Sequence, residues 1–239
     1  MNATIVRLGM RSVFGRRRGV LLLILPVVLI LLAVVVRALA GAGVGTGGDV
    51  LAALGLQVLL PLIALIAAAS LLAPEIDDGS VVYLLAKPIP RMTIVVSKLT
   101  VAFGCTVVFA VLPILIAGFI LAGGQAGFVL AFVLGALAGG AAYCALFTWL
   151  STLTRHAVVI GLLYVLLWEG LIGGVVSGVR WVSIGWWTGA IAEAVSNKVQ
   201  LVSPNLGAAY AVIATLVVLV GMAMLAARRL SGFNLTGDE

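Results

Sequence analysis

Residues 20–40 read VLLLILPVVLILLAVVVRALA, with Arg37 as the one charged side chain in the run. A helical residue advances about 1.5 Å and the hydrocarbon core of a bilayer is about 30 Å thick, so about 20 apolar residues in helix cross it. The run meets that length. Moving outward along the chain, 50–73, 97–122, 127–150, 157–176 and 206–227 meet it as well. Of the 239 residues, 64% are hydrophobic and 9% charged, and the mean hydropathy is +1.31. Soluble domains are about one-quarter charged, and no single core hides apolar sequence of this extent, so lipid has to supply the missing apolar solvent. The expected fold is an all-α membrane protein, a single transmembrane domain over 1–239 with six transmembrane helices.

An even number of spans puts both termini on one side. Of the 14 Lys and Arg residues, only Arg37, Arg180 and Lys198 fall on the opposite side, so the positive-inside rule makes the termini cytoplasmic. The formal charge of +6 is therefore distributed between spans and forms no nucleic-acid patch. Arginine far outnumbers lysine beside abundant Ala, Gly and Val, the composition of a GC-rich bacterial genome, and the expected location is a bacterial inner (cytoplasmic) membrane. Cys105 and Cys144 lie inside apolar runs without Cys-x-x-Cys spacing and read as buried small hydrophobes. The first span, preceded by Arg16-Arg17-Arg18 and ending in Ala38-Leu39-Ala40, imitates a secretory signal. Its apolar run exceeds the roughly 7–15 residues of a signal peptide, and it reads as an uncleaved anchor.

Residues 1–18 mix Ile5, Leu8, Val13 and Phe14 with arginines, as in an amphipathic helix on the inner leaflet or a plain topogenic tail. Pro26, Pro61 and Pro113 interrupt the first three spans, which are expected to bend against protein. Gly135 and Gly139, and then Gly170, Gly174 and Gly178, have the spacing of close helix packing. The segment 177–205 is the longest connection and external. Its Trp181, Trp186 and Trp187 suit the headgroup belt, and a helix-compatible stretch follows; it forms either short interfacial or re-entrant helices, or an anchoring loop.

Several chemistries lack their residues. No G-x-x-x-x-G-K-[ST] motif occurs, so the chain has no P-loop for ATP. Gly43, Gly45 and Gly48 satisfy G-x-G-x-x-G by letter, but in a short external loop with no preceding strand. His156 is the one histidine and reads as a solvated interfacial side chain. Asp77-Asp78 has no second carboxylate cluster with which to form a two-metal site. No catalytic residue and no metal ligand is assigned. Glu169, in LYVLLWEGLIGG, stands in the outer half of the fifth span, where a carboxylate is costly. It is either a hydrogen-bonded packing residue or part of a translocation route.

The cytoplasmic connection from Pro74 to Lys98 reads PEIDDGSVVYLLAKPIPRMTIVVSK. Pro74 with Glu75, Asp77 and Asp78 fits the first turn of a helix, and Pro88 and Pro90 fit its end. A helix over 75–86 presents apolar groups on the cytoplasmic side, and they need a partner. Either the helix only connects two spans, or it takes up force from a soluble subunit.

The segment resembles the signature of ABC-2-type exporter permeases. Glu75, Gly79, Ser80, Leu84, Leu85, Pro88, Ile89, Arg91, Ile94 and Lys98 each occupy a matching place, with Ser80 where Thr is commoner. The basic start, six spans, external insertion before the last span and Arg228-Arg229 exit agree with that family, so the resemblance covers nearly the whole chain. It implies an elbow helix over 1–19, a coupling loop over 74–96 and short external helices acting as a gate. ATPase docking then falls to Glu75, Ile76, Asp77, Asp78, Gly79, Ser80, Tyr83, Leu84 and Leu85, and Arg91 and Lys98 form the loop's basic exit near headgroups. The resemblance further implies a separate ABC ATPase subunit that holds ATP and Mg, none bound by this chain, and a second permease copy, identical or related, amid membrane lipids. Two other classes compete: a self-contained secondary carrier using Glu169, and a membrane anchor for a soluble complex. The first lacks a second midplane charge and visible repeat symmetry. Apolar walls favour an amphiphilic cargo, which the sequence does not identify.

Overall fold

The computed structural model describes residues 18–41, 43–77, 91–154, 156–173, 177–196, 199 and 206–231. All regular structure among them is helical. The helices are α1 (Arg18–Ala40), α2 (Val44–Val50), α3 (Leu60–Asp77), α4 (Arg91–Thr106), α5 (Leu112–Ala122), α6 (Ala126–Leu153), α7 (Ala157–Leu163), α8 (Ile184–Val195) and α9 (Ala208–Ser231). Wide π-helical windings over Leu51–Leu59 and Val107–Val111 join α2 to α3 and α4 to α5, and a third, Tyr164–Ile172, extends α7.

Among the described residues, five stretches are long and apolar enough to cross a membrane: Leu22–Ala40, Val44–Leu71, Arg91–Ala122, Ala126–Leu153 and Ala208–Leu230. The second and third begin earlier than the apolar pattern suggests. In the second, the glycine-rich stretch expected as an external loop is helical because it packs: a Cβ on Gly47 would meet that of Leu121 at 3.1 Å, and Gly48 lies against Phe128. The fifth expected span is described in part. Its described part is a helix of 7 α-helical and 9 π-helical residues, Ala157–Ile172, and 174–176 lie outside the described residues.

Pro26, Pro61 and Pro113 are all buried. Before Pro61 the Leu60 N–H bonds five residues back to Gly55, and before Pro113 the Leu112 N–H bonds back to Val107. The turn thus widens just ahead of a ring that would strike the preceding carbonyl. Pro74 is treated differently. Up to Asp77 α3 runs on through it, and the rest of the helix expected over 75–86 lies outside the described residues. A proline in the last turns frees a carbonyl, and the buried Lys98 ammonium donates to the neighbouring Leu71 carbonyl at 2.8 Å.

The core centres on α6, which packs against α3, α4, α5, α8 and α9. Phe128, Phe132, Tyr143 and Phe147 on α6 are among its largest fully buried side chains. Gly123 and Gly124, at φ 60° and 93°, make the tight turn that folds α6 back on α5. In contrast, only 22% of the apolar window of α1 and 17% of that of α9 is buried, leaving apolar faces for lipid or another chain.

The segment after α7 does not stay outside the bundle. Gly139, halfway along α6, meets Thr188 of α8, and Gly135 meets the Thr188 carbonyl and Ala192. As α8 advances, it moves from Gly139 toward Gly135, so it begins beside the middle of α6 and returns toward the Ala126 end. It is a re-entrant helix. The close packing expected at Gly135 and Gly139 is therefore intramolecular. The same spacing at Gly170 and Gly178 makes no such approach, since Gly170 touches only its own helix and Gly178 has open space.

Candidate functional site

The start of α8 is built from two helices. Ser183 holds the N-cap position, yet its side chain makes no cap bond to its own helix. Its hydroxyl is donated to the Glu169 carboxylate instead, in a very short contact. That carboxylate does the capping: one oxygen accepts from the Ile184 N–H at 3.1 Å, the other from the Gly185 N–H at 3.2 Å. Tyr164 supplies a fourth donor through its hydroxyl at 3.1 Å. Two donors meet each oxygen, so the carboxylate is saturated, and its negative charge sits at the positive end of the α8 dipole.

The π winding of α7 brings Tyr164 and Glu169 into this arrangement. Its last bond runs from the Gly173 N–H to Trp168, five residues back. Aromatic contacts fix the surroundings: Tyr143 stacks on Phe147 at 5.9 Å, and Phe147 meets Tyr164 edge-on at 6.2 Å. The Tyr143 hydroxyl is buried without a hydrogen-bond partner. A Cβ on Gly185 would lie 2.8 Å from a Glu169 oxygen and 3.3 Å from that hydroxyl, so the bare glycine keeps the acid and the phenol adjacent.

A cavity of about 200 Å³ opens beside the carboxylate, lined by Gln57, Glu169, Gly170, Arg180, Gly185 and Trp186. The Arg180 guanidinium lies 4.5 Å over the Trp186 ring, a cation–π contact. Trp187 is buried and donates its indole N–H to the Trp181 carbonyl at 2.9 Å, a carbonyl that Tyr210 of α9 also reaches at 2.7 Å. Trp187 thus belongs to the bundle rather than to the headgroup belt.

At the other end of the molecule, Glu75, Ile76 and Asp77 lie in the last turn of α3. Asp78, Gly79, Ser80, Tyr83, Leu84 and Leu85 fall outside the described residues, as do residues 1–17 of the expected elbow helix. Arg91 opens α4 and is half-buried. Lys98 is not at a headgroup; it is 4% exposed and fixed to the carbonyl of Leu71, because α3 and α4 pack together and close over it.

A family model described as ABC-2 family transporter protein matches residues 16–226. The chain belongs to that family. It is a multi-pass membrane protein and a transmembrane permease component of an ABC transporter, not itself the catalytic subunit. No curated protein matches it. In this ABC-2 permease the sequence singles out Glu169 as a costly carboxylate but leaves its partners unseen. Ser183, Ile184 and Gly185 lie 14 to 16 residues away across a turn that no periodicity encodes. A serine directly before a helical stretch is the one local sign of a helix start there.

Proposed function

We propose that the permease works as half of an ATP-driven exporter in a bacterial inner membrane, with both termini cytoplasmic. It pairs with a second permease copy, identical or related, and docks a separate ABC ATPase through residues 74–96. ATP and Mg belong to that subunit. The observation that carries this reading is the family match over 16–226, which takes in both the apolar helices and the docking segment. Closure of two ATPase subunits on ATP moves the docking segments together, and each is tied directly to α3 and α4. In this topology α7 with its π winding rises from the cytoplasm and α8 turns back into the bundle beside it, so the outward route runs past the cavity at Glu169.

An affinity pull-down of tagged chain in mild detergent from its native host tests the reading. A stoichiometric ATPase copurifies with wild type and is lost with Gly79→Pro while the permease stays folded. If neither sample carries one, the secondary-carrier reading takes its place. The acids of the docking segment set partner choice by charge, so Asp77→Lys with Asp78→Lys lowers ATPase recovery at physiological salt; undiminished recovery removes that role.

A further inference from the structure

We propose that Glu169 is the latch of a two-position gate, in which its carboxylate holds the re-entrant helix α8 closed and passes to the Tyr143 hydroxyl when α8 moves. The inference rests on the permease reading for its purpose, and on the geometry for its parts.

Three observations carry it. The carboxylate reaches α8 from a different helix and takes the start of α8 by two main-chain N–H groups and the Ser183 hydroxyl, so α8 cannot leave without breaking all three. The Tyr143 hydroxyl is fully buried and unpaired beside it. A buried hydroxyl without a partner is costly and rare, and here it is a donor available to the carboxylate once α8 has gone. Gly185 is the third part: any side chain there would press on Glu169 and stand between it and Tyr143. The closed position therefore pairs Glu169 with α8 and leaves Tyr143 idle. The open position pairs Glu169 with Tyr143, with Tyr164 serving the acid in both because it lies five residues away on the same winding. Arg180, the charged group that shares the cavity with the acid, is carried by the 3₁₀ turn Ser177–Val182 that leads into α8.

Gln at 169 has the same shape but not the same chemistry. Its amide nitrogen must face either the Ile184 N–H or the Gly185 N–H, and neither can accept a hydrogen bond. The test uses the purified full chain in proteoliposomes, with a reporter thiol introduced by Ala190→Cys on the buried face of α8 and with Cys105→Ala. The probe is a membrane-impermeant cationic methanethiosulfonate, with adducts counted by intact mass. Native Cys144, fully buried on α6, is the internal control. Loss of charge-assisted bonds of this kind predicts about tenfold or faster modification of the reporter thiol in Glu169→Gln, with Cys144 unmodified. Tyr143→Phe acts in the opposite direction and slows the reporter by a few-fold. An unchanged rate in Glu169→Gln overturns the latch. So does parallel labelling of Cys144, which marks general loosening, or a faster rate in Tyr143→Phe, which makes Tyr143 a brace of the closed position. If Glu169→Gln does not fold, Ser183→Ala and Tyr143→Phe decide by the same opposite signs. No ATPase enters the assay, so a failed pull-down leaves the latch result intact and a failed latch leaves the pull-down intact.

Discussion

Glu169 and Lys98 both bring a polar, ionisable side chain into an apolar bundle, and each bonds to the main chain of a helix other than its own. The acid meets the N–H groups at the start of α8, where its charge complements the helix dipole. The base meets the Leu71 carbonyl inside α3, six residues before its end. The difference lies in the surroundings. Lys98 is closed between two packed helices, whereas Glu169 borders a cavity and an idle hydroxyl. The lysine joins α3 and α4 where they flank the proposed docking segment. The acid joins α8 to a winding beside a second hydroxyl. In the reading proposed above, the first site transmits and the second switches.

The largest expected effect comes from breaking the packing that both proposals assume for α8. A Cβ on Gly139 would stand 2.0 Å from the Thr188 methyl, and one on Gly135 would stand 2.6 Å from the Thr188 carbonyl. Thr188 is stiff, and its hydroxyl is already bonded within α8. Gly135→Ala and Gly139→Ala should each cost about 1–3 kcal/mol through overpacking, and the double variant more than either, read as thermal unfolding in detergent. They should also speed modification of the α8 reporter thiol without touching the carboxylate. If the double variant leaves both readouts unchanged, α8 is held by Glu169 alone and the comparison loses its packing half.

Lys98→Met comes next. It keeps the length of the stem and removes the donor, leaving the Leu71 carbonyl without its charge-assisted bond beside Pro74. A loss of about 1.5–3 kcal/mol is expected, together with weaker coupling of ATP turnover to transport once a partner is in hand. Lys98→Arg, with a donor but more bulk, should recover part of the stability. Equal stability of Lys98→Met and wild type would show that the buried amine only fills space.

Much of the architecture is legible in the sequence because a bilayer imposes a length and a composition on every crossing helix. The apolar runs at 20–40, 127–150 and 206–227 coincide within a few residues with helices long enough to span. Of the expected span 157–176, residues 157–173 are described and helical, and hydropathy, which counts apolar residues, is blind to the π winding within them and to the turn that sends α8 back inside. Glu169 is conspicuous by its expense, but a carboxylate does not announce its donors. Two of the four are main-chain groups on a helix whose place is set by Gly135 and Gly139, far back in the chain on α6. Lys98 misleads for a related reason: a lysine flanking an apolar run usually snorkels to headgroups, and only the packing of α3 on α4 shows that it cannot.

The smallest predicted effects lie where α8 meets α9. The Trp181 carbonyl accepts both the Trp187 indole N–H and the Tyr210 hydroxyl. Trp187 is 5% exposed, so Trp187→Phe removes a buried bond and ring volume together and should cost about 1–2 kcal/mol. Tyr210 is 39% exposed, and its ring meets that of Trp181 edge-on at 5.1 Å. Tyr210→Phe keeps the ring contact and leaves the carbonyl served by Trp187, so a loss of only about 0.5 kcal/mol is expected. The pair sharpens the contrast beside the latch, two residues before Ser183. Were the start of α8 clamped equally by both, Tyr210→Phe would speed modification of the reporter thiol as much as Glu169→Gln does. If the carboxylate is the latch and the Trp181 carbonyl a hinge, the segment keeps its pivot in Tyr210→Phe, and the reporter on α8 reacts no faster than in the parent chain.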